Sequence, residues 1–154
     1  VARCIRLAAV FALACACSAL SLSPDDEAAR NAAFEWLQLV DAGNYKIAAA
    51  QMAEQVRATE RWVTYFNANR APRGKVKNRE IISIKRTPTI KGAPVWWKFA
   101  TVRLKTSFER KPAALEEVVL TKASCCWDVS GYRIFSEPDG RQDKSNEGNE
   151  FGDE

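Results

Sequence analysis

The hydrophobic period changes at Lys75. Before it, apolar residues recur every three or four positions; after it, they alternate. A chain that is helical first and extended afterwards is α+β, because its helices must bury their apolar stripes on the sheet that follows. The first helix has the clearest signals. Ser23 stands at a capping position, Pro24 at the first helical position and Asp26 at capping-box spacing, with its charge in the first turn. Ala29, Ala33, Trp36, Leu37 and Val40 then share one face, and Gly43 ends the helix because glycine takes the left-handed closing conformation at little cost. Asn44 suits the cap of a second helix from Tyr45 to about Arg57, carrying Ile47, Ala48, Met52 and Val56. Thr59 is the expected cap of a third, with Trp62, Val63, Tyr65 and Phe66, closed by Pro72 and Gly74.

Four strands are expected downstream: REIISIKR, VWWKFATVRLKTSF, LEEVVLTK and CCWDVSGYRIF. In the second, Val95, Trp97 and Phe99 share one face, whereas Val102 and Leu104 share the other. That swap predicts a bulge or sharp bend near Ala100. Gly131 marks another bulge before Tyr132 and Ile134. The expectation is one domain over 24–136, with three N-terminal helices packed on a bent four-stranded antiparallel sheet. This order of elements and its bends resemble the cone-shaped folds of the nuclear transport factor 2-like and cystatin-like group, a likeness that implies fold and not function.

Both termini read as something other than fold. Arg3 and Arg6 precede an apolar run that starts at Leu7, the pattern of a secretory signal, and the run is too short to span a bilayer comfortably. Residues 1–16 are therefore expected to be a signal peptide. Ala14-Cys15-Ala16 provides a small-x-small cleavage site, and Leu13 to Ala16 before Cys17 resembles the lipobox of bacterial lipoproteins. Acylation of Cys17, with 17–23 as a short linker, and plain periplasmic secretion are the two outcomes, with Cys15 a competing candidate for the acylated cysteine. At the other end, residues 137–154 hold seven acids and two bases among Gly, Asn and Ser, an acidic tail expected to be disordered.

The chain has no histidine. That removes the side chain whose ordinary pKa lies nearest neutrality, and with it the commonest activator of nucleophiles and the commonest transition-metal ligand. No catalytic residue, cofactor or metal is expected. Glu116 and Glu117 are strand neighbours pointing to opposite faces, so they cannot share a proton or an ion. Cys125 and Cys126 are too close along the chain for an unstrained disulfide. On a strand they would divide into one buried and one exposed thiol.

Residues 57–111 hold fifteen bases and three acids. Arg70, Arg73, Lys75, Lys77 and Arg79 are concentrated there, as a solvated face or as a contact for anionic lipid head groups. Nucleic acid is not expected as a partner, since export separates the two and the aromatics fit core positions. Trp36, Trp97, Trp127 and Tyr132 lie on apolar faces. They pack a core or line a hollow between helices and sheet that would admit a small apolar ligand.

Three blocks, AAFEWLQLVDAGNYKIAAA, RWVTYFNANRAPRG and WDVSGYRIF, resemble the bacterial family catalogued as domain of unknown function 4019. The likeness covers roughly residues 28–135, and its most distinctive part is Trp127-x-Val129-x-Gly131-Tyr132-x-Ile134. Where that family has an Asp-Gly-like turn before the last strand, this chain has Ala123-Ser124-Cys125-Cys126. The resemblance implies a small exported protein without assigned activity and transfers no catalytic residue. The expected role is a non-catalytic envelope domain, meeting the membrane through a lipid anchor and basic face, or an envelope protein partner. A binding module for a small apolar ligand is the alternative. Asp41, in the last turn of the first helix, opposes the helix dipole slightly and is expected to find compensation at the start of the second helix. On that reading Asp41→Asn changes stability by no more than about 1 kcal/mol.

Overall fold

The computed structural model describes residues 22–87 and 90–136. It is α+β, with three helices preceding an antiparallel sheet of four strands in sequential order. Helix α1 spans Pro24–Asp41, and the Asp26 amide donates to the Ser23 hydroxyl at 3.2 Å, as the capping signal implies. Its other end closes on Gly43, at φ 77°, with the Gly43 amide bonded to the Val40 carbonyl and that of Asn44 to the Leu39 carbonyl.

Helix α2 is shorter than its pattern implies. It spans only Tyr45–Ala50, and a 3-10 turn follows at Glu54–Val56. The cause is tertiary: the Ala53 amide donates to the Val129 carbonyl at 2.8 Å, drawing the chain out of the helix and onto the sheet. Met52 is buried there, while Ile47 is left half-exposed. Helix α3 spans Thr59–Asn69, so Thr59 is its first residue, and neither Ala58 before it nor Asn44 before α2 caps with a side chain. A second 3-10 turn, Ala71–Arg73, leads to Gly74 at φ 78°. A side chain at Gly74 would also collide with Glu109, its Cβ lying 2.8 Å from a carboxylate oxygen.

The strands are β1 (Val76–Thr87), β2 (Lys98–Phe108), β3 (Ala114–Lys122) and β4 (Asp128–Ser136). The bulge expected near Ala100 is absent. Ala100, Val102, Leu104, Thr106 and Phe108 alternate inward without a break, and β2 pairs β3 in unshifted register. Val95 and Trp97 belong to the connection before β2, which explains why their phase disagreed with the strand. The bulges lie instead in β1, where pairing with β2 skips Lys77 and Ile82. A third, in β4, leaves Ser130 unpaired beside Gly131, where the glycine predicted it.

The helices cover one face of the sheet. Ala29, Ala33, Trp36, Leu37 and Val40 of α1 meet Val102, Leu104, Val118, Leu120 and Tyr132. Trp36, Phe66 and Tyr132 form an aromatic centre with ring centroids 5.5–6.0 Å apart. Trp36 spends its indole N–H on the Ala48 carbonyl at 2.9 Å, so its burial leaves no unpaired donor. Helix α1, 18 residues and thus about 27 Å long, runs between two ends of the domain. The β1–β2 and β3–β4 connections lie where it begins, and the β2–β3 connection lies where it stops.

Candidate functional site

Asp41 sits among the free carbonyls at the end of α1, and the last turn of that helix has no basic residue. Its compensation comes from elsewhere than the start of α2. Arg70, the residue after α3, donates Nη2 to Asp41 Oδ1 at 3.0 Å. Arg79 of β1 donates Nη1 to Oδ2 at 2.6 Å and Nη2 to Oδ1 at 3.1 Å. The same Arg79 grips Glu116 of β3, with Nε to Oε2 at 2.8 Å and Nη2 to Oε1 at 3.3 Å. Glu116 is 0% exposed. Thr106 donates its hydroxyl to Oε2, and Tyr132 donates its phenol to Oε1 at 2.5 Å.

Each Glu116 oxygen therefore accepts two hydrogen bonds, which uses the capacity of a carboxylate. Two guanidinium groups face two carboxylates, so the cluster carries no net charge. Burial opposes the Arg79 charge, but the hydrogen bond to Asp41 and the charges of Glu116 and Asp41 outweigh it and raise its pKa. Burial, followed by the charge and hydrogen bonding of Glu116, pushes the Tyr132 phenol well above the tyrosine range, which keeps it a neutral donor. Arg70 also donates Nη1 to the Gly74 carbonyl at 2.7 Å and stacks 4.6 Å from the Phe108 ring centroid; its buried Nε has no hydrogen-bond partner among the described residues. The cluster joins α1, the segment after α3, and all four strands. Its arrangement binds elements together and leaves Glu116 no free acceptor position, while Asp41, a quarter exposed, accepts one bond at Oδ2.

This placement divides the basic stretch. Arg70, 2% exposed, and Arg79 are turned into the domain and cannot meet a surface. Arg73 is half-buried, with Nε on the Asn69 carbonyl, and only Lys75 and Lys77 stand exposed. The signal for the cluster was present in LEEVVLTK. Glu116 is in phase with Val118 and Leu120, so an acid on the inward face required a buried cation. Glu117 faces outward, as adjacency on a strand implies, and takes Arg103 at 2.6 Å and Arg133 at 2.8 Å.

The four aromatic residues considered for a pocket do not share one. Trp36 and Tyr132 are core; Trp127 is buried at the opposite end of α1; Trp97 is half-buried in the β1–β2 connection, 6.4 Å from Phe99. An open groove of about 510 Å³ runs between α3 and β4, lined by Val56, Arg57, Arg61, Trp62, Tyr65 and Tyr132 among others. Another, of about 540 Å³, lies on the outer sheet face at Ile82, Arg103, Leu115, Glu117 and Phe135.

Where α1 begins, a second set of ion pairs holds it to the sheet. Asp25 accepts from Lys122 at 3.0 Å and from the Trp127 indole at 3.2 Å. Arg86 donates Nε to Asp26 at 2.6 Å and Nη2 to the Ser23 hydroxyl at 2.8 Å. The hydrogen bond from Lys122 leads in lowering the Asp25 pKa, and that from Ser23 does so for Asp26. Asp25 and Asp26 thus do more than favour the helix dipole. Nearby, Cys125 and Cys126 precede β4 and are not on a strand. Both are exposed, with their Sγ atoms 2.8 Å apart, so the division into one buried and one exposed thiol does not occur. Residues 1–16, expected to be a signal peptide, Cys17 and the acidic tail at 137–154 lie outside the described residues.

A family model described as protein of unknown function (DUF4019) matches residues 32–132. That range includes every member of the Asp41–Glu116 cluster and excludes the Ser23–Asp26 cap. No curated protein matches the chain.

Proposed function

The chain belongs to the DUF4019 family of proteins of unknown function, and on that premise we propose that it is an exported bacterial envelope domain acting by contact rather than catalysis. Its leader directs export, and acylation of Cys17 holds it to the membrane; a soluble periplasmic form is the other outcome of the same leader. We read the fold as a cone of the nuclear transport factor 2-like or cystatin-like kind whose interior is filled by its own side chains.

One observation carries this reading: the buried acid, phenol and guanidinium groups at Glu116 close on one another. General acid or base work needs a carboxylate within reach of a substrate proton, and a nucleophile needs an open approach. Glu116 has neither. Among the exposed side chains are Val95, Trp96 and Ile90 at one end and Lys75 and Lys77 at the other. Cell fractionation tests the reading. The full chain is expected in the membrane fraction and Cys17→Ala in the soluble fraction, with diacylglyceryl-cysteine found at the mature N-terminus by mass spectrometry. A Cys17→Ala protein that stays with the membrane ends the anchor assignment.

The groove between α3 and β4 supports a second reading, a site for a small apolar ligand. Its volume of about 510 Å³ falls within the range of small-molecule sites, and Trp62 and Tyr65 line it. Titration with a medium-chain fatty acid would then give saturable quenching that Trp62→Phe abolishes; a linear, unsaturable response removes this alternative.

A further inference from the structure

The first turn of α1 is fixed to the sheet by Ser23, Asp25 and Asp26 through Arg86, Lys122 and Trp127. Leu22 therefore enters the fold at the end that holds the β1–β2 connection. Cys17 lies five residues upstream of Leu22, a span of at most about 18 Å. A lipid on Cys17 confines this end of the domain to the bilayer surface. Lys75 and Lys77 are at the other end of β1: ten residues separate Lys77 from Thr87, about 33 Å of strand.

Among the described residues, the end so confined holds the two most exposed large apolar side chains, Val95 and Trp96. Val95 is 79% exposed, Trp96 70% and Ile90 46%, all in the β1–β2 connection. Lys91 and Lys98 are exposed beside them. An indole and aliphatic groups rimmed by lysines match the layer between head groups and acyl chains: the amphipathic ring settles at that depth and the ammonium groups meet phosphates. Left in water, the adjoining Val95 and Trp96 would keep a large apolar area hydrated.

We infer that the domain meets the membrane end-on, with Ile90, Val95 and Trp96 seated in the interfacial layer and Lys91 and Lys98 on anionic head groups. The orientation rests on the acylation of Cys17 proposed above; the loop's affinity for lipid does not. It moves the lipid contact from the basic stretch at 70–79 to the opposite end of the sheet.

The test uses purified mature protein, its N-terminus read by mass spectrometry, in phosphatidylethanolamine–phosphatidylglycerol vesicles containing brominated lipid. Bromine quenches tryptophan only at contact depth. The quenching is expected to fall about fivefold in Trp96→Phe, because the interface-seeking indole is lost, and to persist in a Lys75→Ala, Lys77→Ala variant. At 70% exposure, Trp96 can be changed without disturbing the core, and circular dichroism verifies this. Absent quenching, or quenching that Trp96→Phe leaves unchanged, overturns the proposal and turns the loop toward water or a protein. If the N-terminus is acylated and Trp96 unquenched, the anchor survives and the end-on contact fails. If the N-terminus is unacylated and Trp96 quenched, the anchor reading fails and the loop's lipid contact stands.

Discussion

The two ends of α1 are fastened by the same chemistry in different media. Where the helix begins, Asp25 and Asp26 pair with Lys122 and Arg86 at the surface, and each aspartate side chain is about a quarter exposed. Where it stops, Asp41 is exposed to the same degree, but its partners Arg70 and Arg79 are buried, and Arg79 leads on to Glu116, which is 0% exposed. Exposed pairs gain little, because water solvates the separated charges nearly as well. A buried pair is different: deleting one partner leaves the other charge desolvated and alone. The lesson is that an ion pair's importance follows from what surrounds it, and α1 holds both cases on one helix.

Substitutions rank accordingly. The largest effect is expected for Glu116→Ala, which leaves the buried Arg79 with Asp41 alone and the Thr106 and Tyr132 hydroxyls without their acceptor inside the core; it should lower unfolding free energy by about 3–5 kcal/mol in urea titrations. Asp41→Asn comes next at about 2–3 kcal/mol, since Asp41 is the carboxylate partner of the buried Arg70 and one of two for Arg79. A loss under 1 kcal/mol would return Asp41 to a simple dipole effect and dissolve the contrast between the ends.

Tyr132→Phe removes one hydrogen bond to an ionised group and should cost about 1.5–2 kcal/mol. It also sharpens the pH behaviour. The folded Tyr132 pKa is raised, so its contribution is complete below the unfolded tyrosine value of about 10 and is lost as pH rises toward the folded value. Wild type should therefore lose stability above that pH more steeply than Tyr132→Phe. The smallest effect belongs to Asp25→Asn, no more than about 1 kcal/mol at neutral pH. Here the sign is opposite. A lowered folded pKa contributes stability above the unfolded carboxylate value of about 3.9, lost as pH falls through the folded one. The acid limb of thermal melts should be shallower in Asp25→Asn. Equal losses for Asp25→Asn and Asp41→Asn would break the comparison.

Much of the fold was legible because its signals are local. The Ser23 cap, the α1 stripe, the Gly43 stop and the bulge at Gly131 each depend on residues within a turn or two. The failures have two sources: contacts made across the chain, and local patterns that two structures share. Helix α2 stopped at Ala50 because Val129 of β4 takes the Ala53 amide. Val95 and Trp97 looked like strand because alternation cannot distinguish a strand from an apolar connection that happens to share its period. The basic run 70–79 looked like one face, yet Arg70 and Arg79 turn inward while Lys75 and Lys77 stay out.

What the sequence determined by itself was class and order: helices before Lys75, strands after it, an acid in the last turn of α1 and another on the inward side of β3. The absence of histidine is likewise a sequence fact. The tertiary structure alone decided which cation answers which acid. Asp41 reaches Arg70 and Arg79 across 29 and 38 residues, and Arg79 reaches Glu116 across 37. Local pattern sets which face a side chain takes, whereas partners at such separations are selected by how the buried faces pack, because only packing brings the charges together away from water.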